Sequence, residues 1–198
     1  MNSFAGYQAI LFDLDGTLVD TMPLHYLAYA KVLREMGLDL KQSVFMDLIG
    51  PPARQTIPLF VEAAGGICDA EMVAEVHAKK KMAFQEYLQT EKLTLLPAVG
   101  YFDLIAETQR TALVTSGNRE GAQAILATLG WADRFDTIVT GDDVSQGKPH
   151  PEPYLLAAAR LDVRPEKCVA LEDTPNGISS AEAAGMTAID VTDIEHVQ

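Results

Sequence analysis

The chain has 198 residues, of which 48% are apolar and 22% are charged. This composition excludes a disordered polypeptide and suits one hydrophobic core, or one core with a small appended domain. A formal net charge of −13 argues against a nucleic-acid-binding protein, which needs a basic surface to displace counterions.

Membrane and secretory classes are also disfavoured. The sequence contains no apolar run long enough to span a bilayer, and its first residues lack a basic stretch followed by an apolar one. The two cysteines, Cys68 and Cys168, lie far apart and form no C-x-x-C pair. We therefore expect reduced thiols in a cytoplasmic protein without membrane or nucleic-acid partners.

The first apolar run, residues 9–12, predicts a buried strand that ends abruptly at Asp13. The following stretch, residues 21–95, contains no convincing strand. Helical spacing there predicts a helix that ends at Gly37. Its shared face consists of Tyr26, Tyr29, Ala30, Leu33 and Met36. Further helices are predicted at 54–64 and 70–88, so an all-helical insertion interrupts the chain after its first strand.

Strands and helices alternate in the rest of the chain. Further strands are predicted at 111–114, 137–139, 168–171 and 187–191. Helical stripes between them consist of Val99, Phe102, Ile105 and Ala106, then Ala122, Ile125, Leu126 and Leu129, and, after Pro151, Leu155, Ala158 and Ala159. This alternation predicts an α/β fold, a doubly wound parallel sheet, from residues 1–19 and 96–198, with 20–95 as the insertion.

Polar residues follow four of these strands. They are Asp13 and Asp15 after the first, Thr115, Ser116 and Asn118 after the second, Lys148 some residues after the third, and Glu172 and Asp173 after the fourth. Ligand sites of open parallel sheets lie at the carboxyl ends of the strands. The sequence therefore predicts that these side chains meet in one crevice.

Clustered carboxylates raise each other's pKa values unless a cation lies between them. Mg²⁺ prefers one or two carboxylates together with phosphate and water, so Asp13 and Asp173 are candidate ligands. A carboxylate can attack phosphorus, and Asp15 can serve as general acid and base beside Asp13. Lys148 and the Thr115 hydroxyl would then stabilise charge on the phosphoryl oxygens.

Four segments together resemble the haloacid dehalogenase superfamily of phosphotransferases. They are residues 11–17, 114–116, 147–151 and 171–178, in the family's order. The insertion resembles the small helical cap of the subgroup that contains β-phosphoglucomutase and many sugar-phosphate and phosphoglycolate phosphatases. The resemblance implies a Rossmann-like core at 1–19 and 96–198, a cap at 20–95, and a monomer that acts on a small phosphorylated metabolite.

The resemblance also implies a role for each matching residue. Asp13 would be nucleophile and Mg²⁺ ligand, and Asp15 acid and base, with its backbone carbonyl on the metal. Asp173 would be a ligand, with Glu172 supporting the metal site, whereas phosphate would be bound by Thr115, Ser116, Asn118 and Lys148. The dehalogenase branch lacks the second aspartate of the Asp13 motif, so phosphoryl transfer is the expected chemistry.

Four residues of the insertion, His25, Arg54, Lys79 and Lys80, are open between structural and functional interpretations. His25 resembles a substrate-facing histidine but is equally well explained as an ordinary helix residue. Arg54 follows a loop at 50–53 that resembles an arginine-supplying loop, although its spacing departs from the mutase pattern. In the basic run 79–81, which is typical of a solvated helix face, Lys79 or Lys80 is the candidate to reach a substrate.

These observations predict a Mg²⁺-dependent phosphatase that hydrolyses a small phosphate monoester, a sugar phosphate or a phosphoglycolate-like compound, through an aspartyl-phosphate on Asp13. A phosphomutase of the β-phosphoglucomutase type is an alternative, because a sugar hydroxyl can replace water as the acceptor. A non-enzymatic binding module on the same fold is a further alternative, although the intact set of site residues disfavours it.

Overall fold

The computed structural model describes residues 4–49, 53–105 and 107–192. The chain divides into two compact units, one of Met1–Asp20 with Leu93–Gln198 and the other of Thr21–Lys92. The divisions at 20/21 and 92/93 differ by one and three residues from the predicted ones at 19/20 and 95/96. The interpretation of the second unit as a substrate cap stays a prediction.

The first unit is built on a five-stranded parallel sheet. The strands of this unit are β1 (Ala9–Phe12), β2 (Val19–Asp20), β3 (Thr94–Leu95), β4 (Arg110–Val114), β5 (Thr137–Val139), β6 (Cys168–Glu172) and β7 (Thr187–Asp190). The large sheet has the order β5-β4-β1-β6-β7, and β2 and β3 form a separate antiparallel pair. The expected doubly wound α/β class is confirmed, with β1 at the centre of the sheet.

Seven α-helices are found among the described residues. They are α1 (Met22–Glu35), α2 (Gln42–Leu48), α3 (Ala53–Ala63) and α4 (Ala70–Thr90) in the second unit, and α5 (Arg119–Thr128), α6 (Glu152–Leu161) and α7 (Pro175–Ala183) in the first. Residues 42–48 and 175–183 carried no helix prediction. Within the described ranges, no helix combines the length and the apolar character that crossing a bilayer would require.

Both faces of the sheet are covered, which explains why β1 is a continuous apolar run. On one face, the ring of Phe12 lies 5.1 Å from that of Phe102 and 6.1 Å from that of Phe135. On the other, Leu11 packs in a cluster that includes Tyr154 of α6 and Ala181 of α7. The carboxyl end of β1 is therefore fixed between two packed layers.

Strand β3 (Thr94–Leu95) lies at the end of a stretch that was predicted to contain no strand, and two helical segments also differ from the sequence predictions. The stripe at 99–106 begins in a 3-10 helix, Pro97–Leu104, rather than in an α-helix, and Ala106 lies outside the described residues. Helix α6 buries Tyr154, Ala157 and Leu161, whereas the predicted face residue Leu155 is 42% exposed. Alanines on both sides of this helix make its apolar face ambiguous, and the aromatic ring decides which side turns inward.

Candidate functional site

The site begins where β1 ends. Asp13 is the first residue after the strand, and its backbone N–H donates to the carbonyl of Leu171 at 3.1 Å, which extends the ladder with β6. Its side chain is almost completely buried. Because β6 lies beside β1 in parallel register, Glu172 and Asp173 reach the same edge of the sheet.

Lys148 joins these acidic residues. Its Nζ donates to Asp13 Oδ1 at 2.7 Å, to Glu172 Oε1 at 2.5 Å and to the Val114 carbonyl at 2.8 Å, and the side chain is 5% exposed. An ammonium group has three N–H bonds, so all three have an acceptor. Burial disfavours the charged ammonium, but the carboxylates of Asp13 and Glu172 outweigh that effect and raise the pKa of Lys148.

The carboxyl group of Asp13 lies in an unfavourable environment for its own charge. Burial raises its pKa well above the ordinary value, Lys148 opposes the shift, and the neighbouring carboxylates of Glu172 and Asp15 add to it. One lysine therefore does not fully compensate the negative charge of the cluster. Additional positive charge at this edge would favour the ionised form of Asp13.

A divalent cation would fit the oxygen atoms available here. Asp13, Glu172 and Asp173 each offer a carboxylate oxygen, and these atoms lie within 4.8 Å of one another. Burial also raises the pKa of Asp173, although the Thr17 hydroxyl donates to its Oδ1 at 3.0 Å. A group of carboxylate oxygens is the donor set of hard cations such as Mg²⁺.

Two glycines permit the close packing of these carboxylates. A Cβ on Gly16 would lie 2.2 Å from Asp173 Oδ2, and the φ of +91° is also unfavourable for other residues. A Cβ on Gly177 would lie 2.0 Å from Glu172 Oε2. Neither position has room for a side chain, so the carboxylates are held against backbone.

The predicted phosphate-binding residues have different surroundings. Thr115 is buried. Its hydroxyl donates a hydrogen bond to Asp15 Oδ2 at 3.4 Å and accepts one from the Gly117 N–H at 3.0 Å. Ser116 is exposed. Asn118 is the N-cap of α5, where its Oδ1 accepts the Gly121 N–H at 2.8 Å. Thr115 thus adjoins the predicted acid and base, while Asn118 has a structural contact of its own.

The candidates of the second unit have contacts with other residues of that unit. His25 Nδ1 lies 2.7 Å from Lys80 Nζ, and the imidazole stacks on the Phe84 ring with centroids 4.4 Å apart. Burial and the neighbouring Lys80 lower the pKa of His25 to about 3. Lys79 is more exposed and pairs with Glu75 at 2.7 Å.

Arg54 is exposed on α3. The loop residues Gly50, Pro51 and Pro52, on which its predicted role depends, lie outside the described residues. Its assignment to substrate binding, like that of His25, Lys79 and Lys80, stays a prediction.

Three contacts of the site were not foreseen from the sequence. Thr17 donates to Asp173, Ser180 Oγ donates to the His150 carbonyl at 2.6 Å, and the Tyr154 hydroxyl donates to Glu172 Oε1 at 2.6 Å. Burial first, and then Glu172, raise the pKa of Tyr154 well above the ordinary value, so the phenol is held as a donor. Thr17 belongs to the Asp13 motif, so the sequence could have indicated its contact. Tyr154 lies on the buried face of α6, and no sequence signal distinguishes it from an ordinary core residue.

Comparison with known proteins agrees with these features. A family model described as haloacid dehalogenase-like hydrolase matches residues 7–185. A phosphorylated carbohydrates phosphatase of Thermotoga maritima is 36% identical over 184 residues, which cover 92% of this chain and 83% of that protein. Beta-phosphoglucomutase of Bacillus subtilis is 31% identical over 190 residues, covering 93% of this chain and 83% of the mutase.

Solved structures show the same likeness. CbbY of Rhodobacter sphaeroides, whose crystal structure contains phosphate, superposes with a TM-score of 0.81 at 32% sequence identity. The superposition covers 97% of this chain and 89% of that one. The similarity therefore extends over nearly the whole length of both chains.

Proposed function

The chain belongs to the haloacid dehalogenase-like hydrolase family, and on that premise we propose that it is a Mg²⁺-dependent phosphatase. It would hydrolyse a small phosphate monoester, a sugar phosphate or a phosphoglycolate-like compound, through an aspartyl-phosphate on Asp13. The observation that carries this proposal is the buried Asp13 carboxylate, which is paired with Lys148 and lies beside Glu172 and Asp173. The phosphorylated carbohydrates phosphatase among its relatives supports the substrate class.

In the proposed reaction, an Asp13 oxygen bonds to phosphorus as the bond from phosphorus to the leaving oxygen breaks. Asp15 gives its proton to that leaving oxygen. Asp15 then takes a proton from water, whose oxygen attacks phosphorus and breaks the bond to Asp13. The contact of the Thr115 hydroxyl with Asp15 Oδ2 supports a fixed orientation of this carboxyl group.

During this step the Lys148 ammonium would exchange one of its hydrogen-bond acceptors. All three of its N–H groups have acceptors before substrate binds, so a contact with the phosphoryl group requires that one be released. Asp13 Oδ1 is the acceptor that loses its charge when a bond to phosphorus forms. We therefore expect Lys148 to transfer that hydrogen bond from Asp13 to a phosphoryl oxygen, which stabilises the transition state.

Mg²⁺ would be held by the carboxylates of Asp13 and Asp173, with the Asp15 backbone carbonyl, while Glu172 supports the site. When bound, the ion would neutralise charge on the phosphoryl oxygens and polarise phosphorus. The raised pKa of Asp13 supports the need for this extra positive charge. A cytoplasmic location and a monomeric state also remain proposals.

The test is phosphate release from a panel of phosphorylated metabolites, with Mg²⁺ and with EDTA. Wild type should release phosphate only with Mg²⁺, and Asp13→Asn should reduce release to background. Asp162→Asn is a matched control, since Asp162 is exposed at the C-terminus of α6 with a φ of 55° that asparagine tolerates. Substantial activity of pure Asp13→Asn would contradict the nucleophile assignment.

A phosphomutase is a second candidate because one relative is a beta-phosphoglucomutase. In that case the phosphoenzyme would transfer its group to a sugar hydroxyl instead of water. The assay supplies β-glucose 1-phosphate with a catalytic amount of glucose 1,6-bisphosphate and follows glucose 6-phosphate and inorganic phosphate together. Glucose 6-phosphate formed in excess of free phosphate would favour the mutase, and free phosphate alone would favour the phosphatase.

A further inference from the structure

Tyr154 brings a hydroxyl group into the core beneath the site. The side chain is fully buried in the first turn of α6, among apolar residues of the sheet face. Its hydroxyl donates to Glu172 Oε1 at 2.6 Å, and its ring centroid lies 5.2 Å from Lys148 Nζ. The residue therefore contacts two members of the charged cluster without being one itself.

Glu172 is held from several sides by these contacts. Its Oε1 accepts hydrogen bonds from both Tyr154 and Lys148, and its Oε2 accepts one from Thr174 at 3.4 Å. Gly177 lies so close to the carboxylate that no side chain fits between them. A buried carboxylate that loses one of its donors is expected to reorient or to draw its remaining donors closer.

The backbone around Lys148 is held independently of Tyr154. Glu152 accepts the N–H groups of Ser145 and Gln146 at 2.8 and 3.0 Å, and Ser180 donates to the His150 carbonyl. The loop is thus attached at both sides of Lys148 by groups that are not part of the acidic cluster. Loss of the Tyr154 hydroxyl should leave the loop in place and change only the end of the lysine side chain.

We propose that Tyr154 is a positioning residue for phosphoryl transfer. Its hydroxyl fixes the Glu172 carboxylate, and that carboxylate fixes the Lys148 ammonium in contact with Asp13. This inference rests on the proposed function. Without the hydroxyl, Lys148 is the sole donor seen on Glu172 Oε1, so it is drawn toward Glu172 and away from the place where the phosphoryl group is transferred.

The first test compares the kinetics of Tyr154→Phe with those of wild type, using p-nitrophenyl phosphate and Mg²⁺. Phenylalanine keeps the ring and its contact with the ammonium and removes only the hydroxyl. We expect kcat to fall about 10-fold while KM changes less than about twofold, as for residues that orient a functional group from behind. An unchanged kcat would overturn the proposal.

Tyr7→Phe is the matched control. The Tyr7 hydroxyl donates to Thr187 Oγ1 at 3.0 Å. Because Thr187 is the first residue of β7, this contact lies at the amino ends of the strands. The variant loses the same type of hydrogen bond far from the carboxyl ends of the strands. A loss of kcat equal to that of Tyr154→Phe would show a general effect of removing a hydroxyl and would overturn the proposal.

A second readout does not depend on turnover. In protein labelled with ¹⁵N-lysine, the buried Lys148 ammonium should give a protected resonance, identified by its absence in Lys148→Met. Tyr154→Phe should shift or broaden it, and Tyr7→Phe should leave it unchanged. An unmoved resonance in Tyr154→Phe overturns the positioning role, even if kcat falls.

This readout also separates the inference from the proposed function. If wild type releases no phosphate from any compound, the phosphatase proposal fails. The resonance would still decide whether Tyr154 positions Lys148.

Discussion

Each unit of the protein contains a lysine that is packed against other side chains, but the two environments differ. Lys148 of the first unit is bound by two carboxylates and a backbone carbonyl. The contacts described for Lys80 of the second unit are with neutral groups: His25 Nδ1 at 2.7 Å and the Tyr29 and Phe84 rings at 5.2 and 4.7 Å. The first arrangement compensates charge with charge, and in the second the ammonium contacts an imidazole nitrogen and two aromatic faces.

This difference indicates what each lysine does for its surroundings. Lys148 keeps two buried carboxylates compensated, so the acidic cluster depends on it. The contacts of Lys80 with the Tyr29 and Phe84 rings are weaker individually. The stability of the fold should therefore depend on Lys148 much more than on Lys80.

The largest expected effect is that of Lys148→Met. It leaves the carboxylates of Asp13 and Glu172 buried without their counter-charge, and breaking such a pair costs about 3–5 kcal/mol. We expect this loss in the free energy of unfolding measured with urea in the presence of EDTA, together with loss of phosphate release. Lys80→Met, the matched variant, should change the unfolding free energy by less than about 1 kcal/mol. Equal losses for both variants would remove the contrast between the two lysines.

The next effect tests how tightly the acidic cluster is packed. Gly177→Ala places a Cβ 2.0 Å from a Glu172 oxygen, and overpacking of this kind costs about 1–3 kcal/mol. Gly121 occupies the same position after the N-cap of α5, and its Cβ would meet Asn118 Oδ1 at 3.2 Å. Since alanine favours helix by about 1 kcal/mol over glycine, Gly121→Ala should be close to neutral in urea unfolding. A neutral Gly177→Ala would show that Glu172 moves easily.

The smallest effect concerns the second unit and depends on pH. The pKa of His25 is lowered from 6.5 to about 3 in the folded chain, so the unfolded chain takes up a proton first on acidification. The contribution of neutral His25 is therefore complete above its unfolded pKa of 6.5 and is lost as pH falls from there toward the folded value. We expect wild type to lose about 1.4 kcal/mol more than His25→Gln between about pH 7.5 and about pH 5.5.

Urea unfolding of both proteins at these two values measures the difference, and titration of the other carboxyl groups cancels in the comparison. Parallel losses in the two proteins would show that His25 gains its proton as readily when folded. The neutral state of His25 in the folded chain would then be contradicted.

The strands were predictable because each contains a short apolar run that a polar break follows, and β1 and β6 are buried along their whole length. The five apolar runs became the five strands of the large sheet, with ends that differ by at most one residue. Parallel connections place the polar segments after β1, β4, β5 and β6 at the same end of the sheet. The meeting of Asp13, Lys148, Glu172 and Asp173 follows from that topology.

Side-chain partners were less accessible to sequence reasoning. Tyr154 could be read only as an apolar residue, because its role depends on a Glu172 oxygen that the fold brings to it from another strand. Asn118 was assigned to phosphate binding, but the structure gives its side chain a capping contact as well. Such pairings depend on the exact phase of a helix, and the alanine-rich sequence of α6 does not define that phase.

The central place of β1 has a consequence for the synthesis of this chain. Ala9 pairs with Arg110 on one side and with Cys168 on the other, so the strand made first waits for partners made much later. Contacts of such high sequence separation form slowly. A ribosome that stops before β6 releases a chain whose first strand has an uncovered edge, a target for aggregation or proteolysis. The environment of Asp13 is complete only when Lys148, Glu172 and Asp173 have emerged, so a product truncated before β6 would contain Asp13 without these charged neighbours.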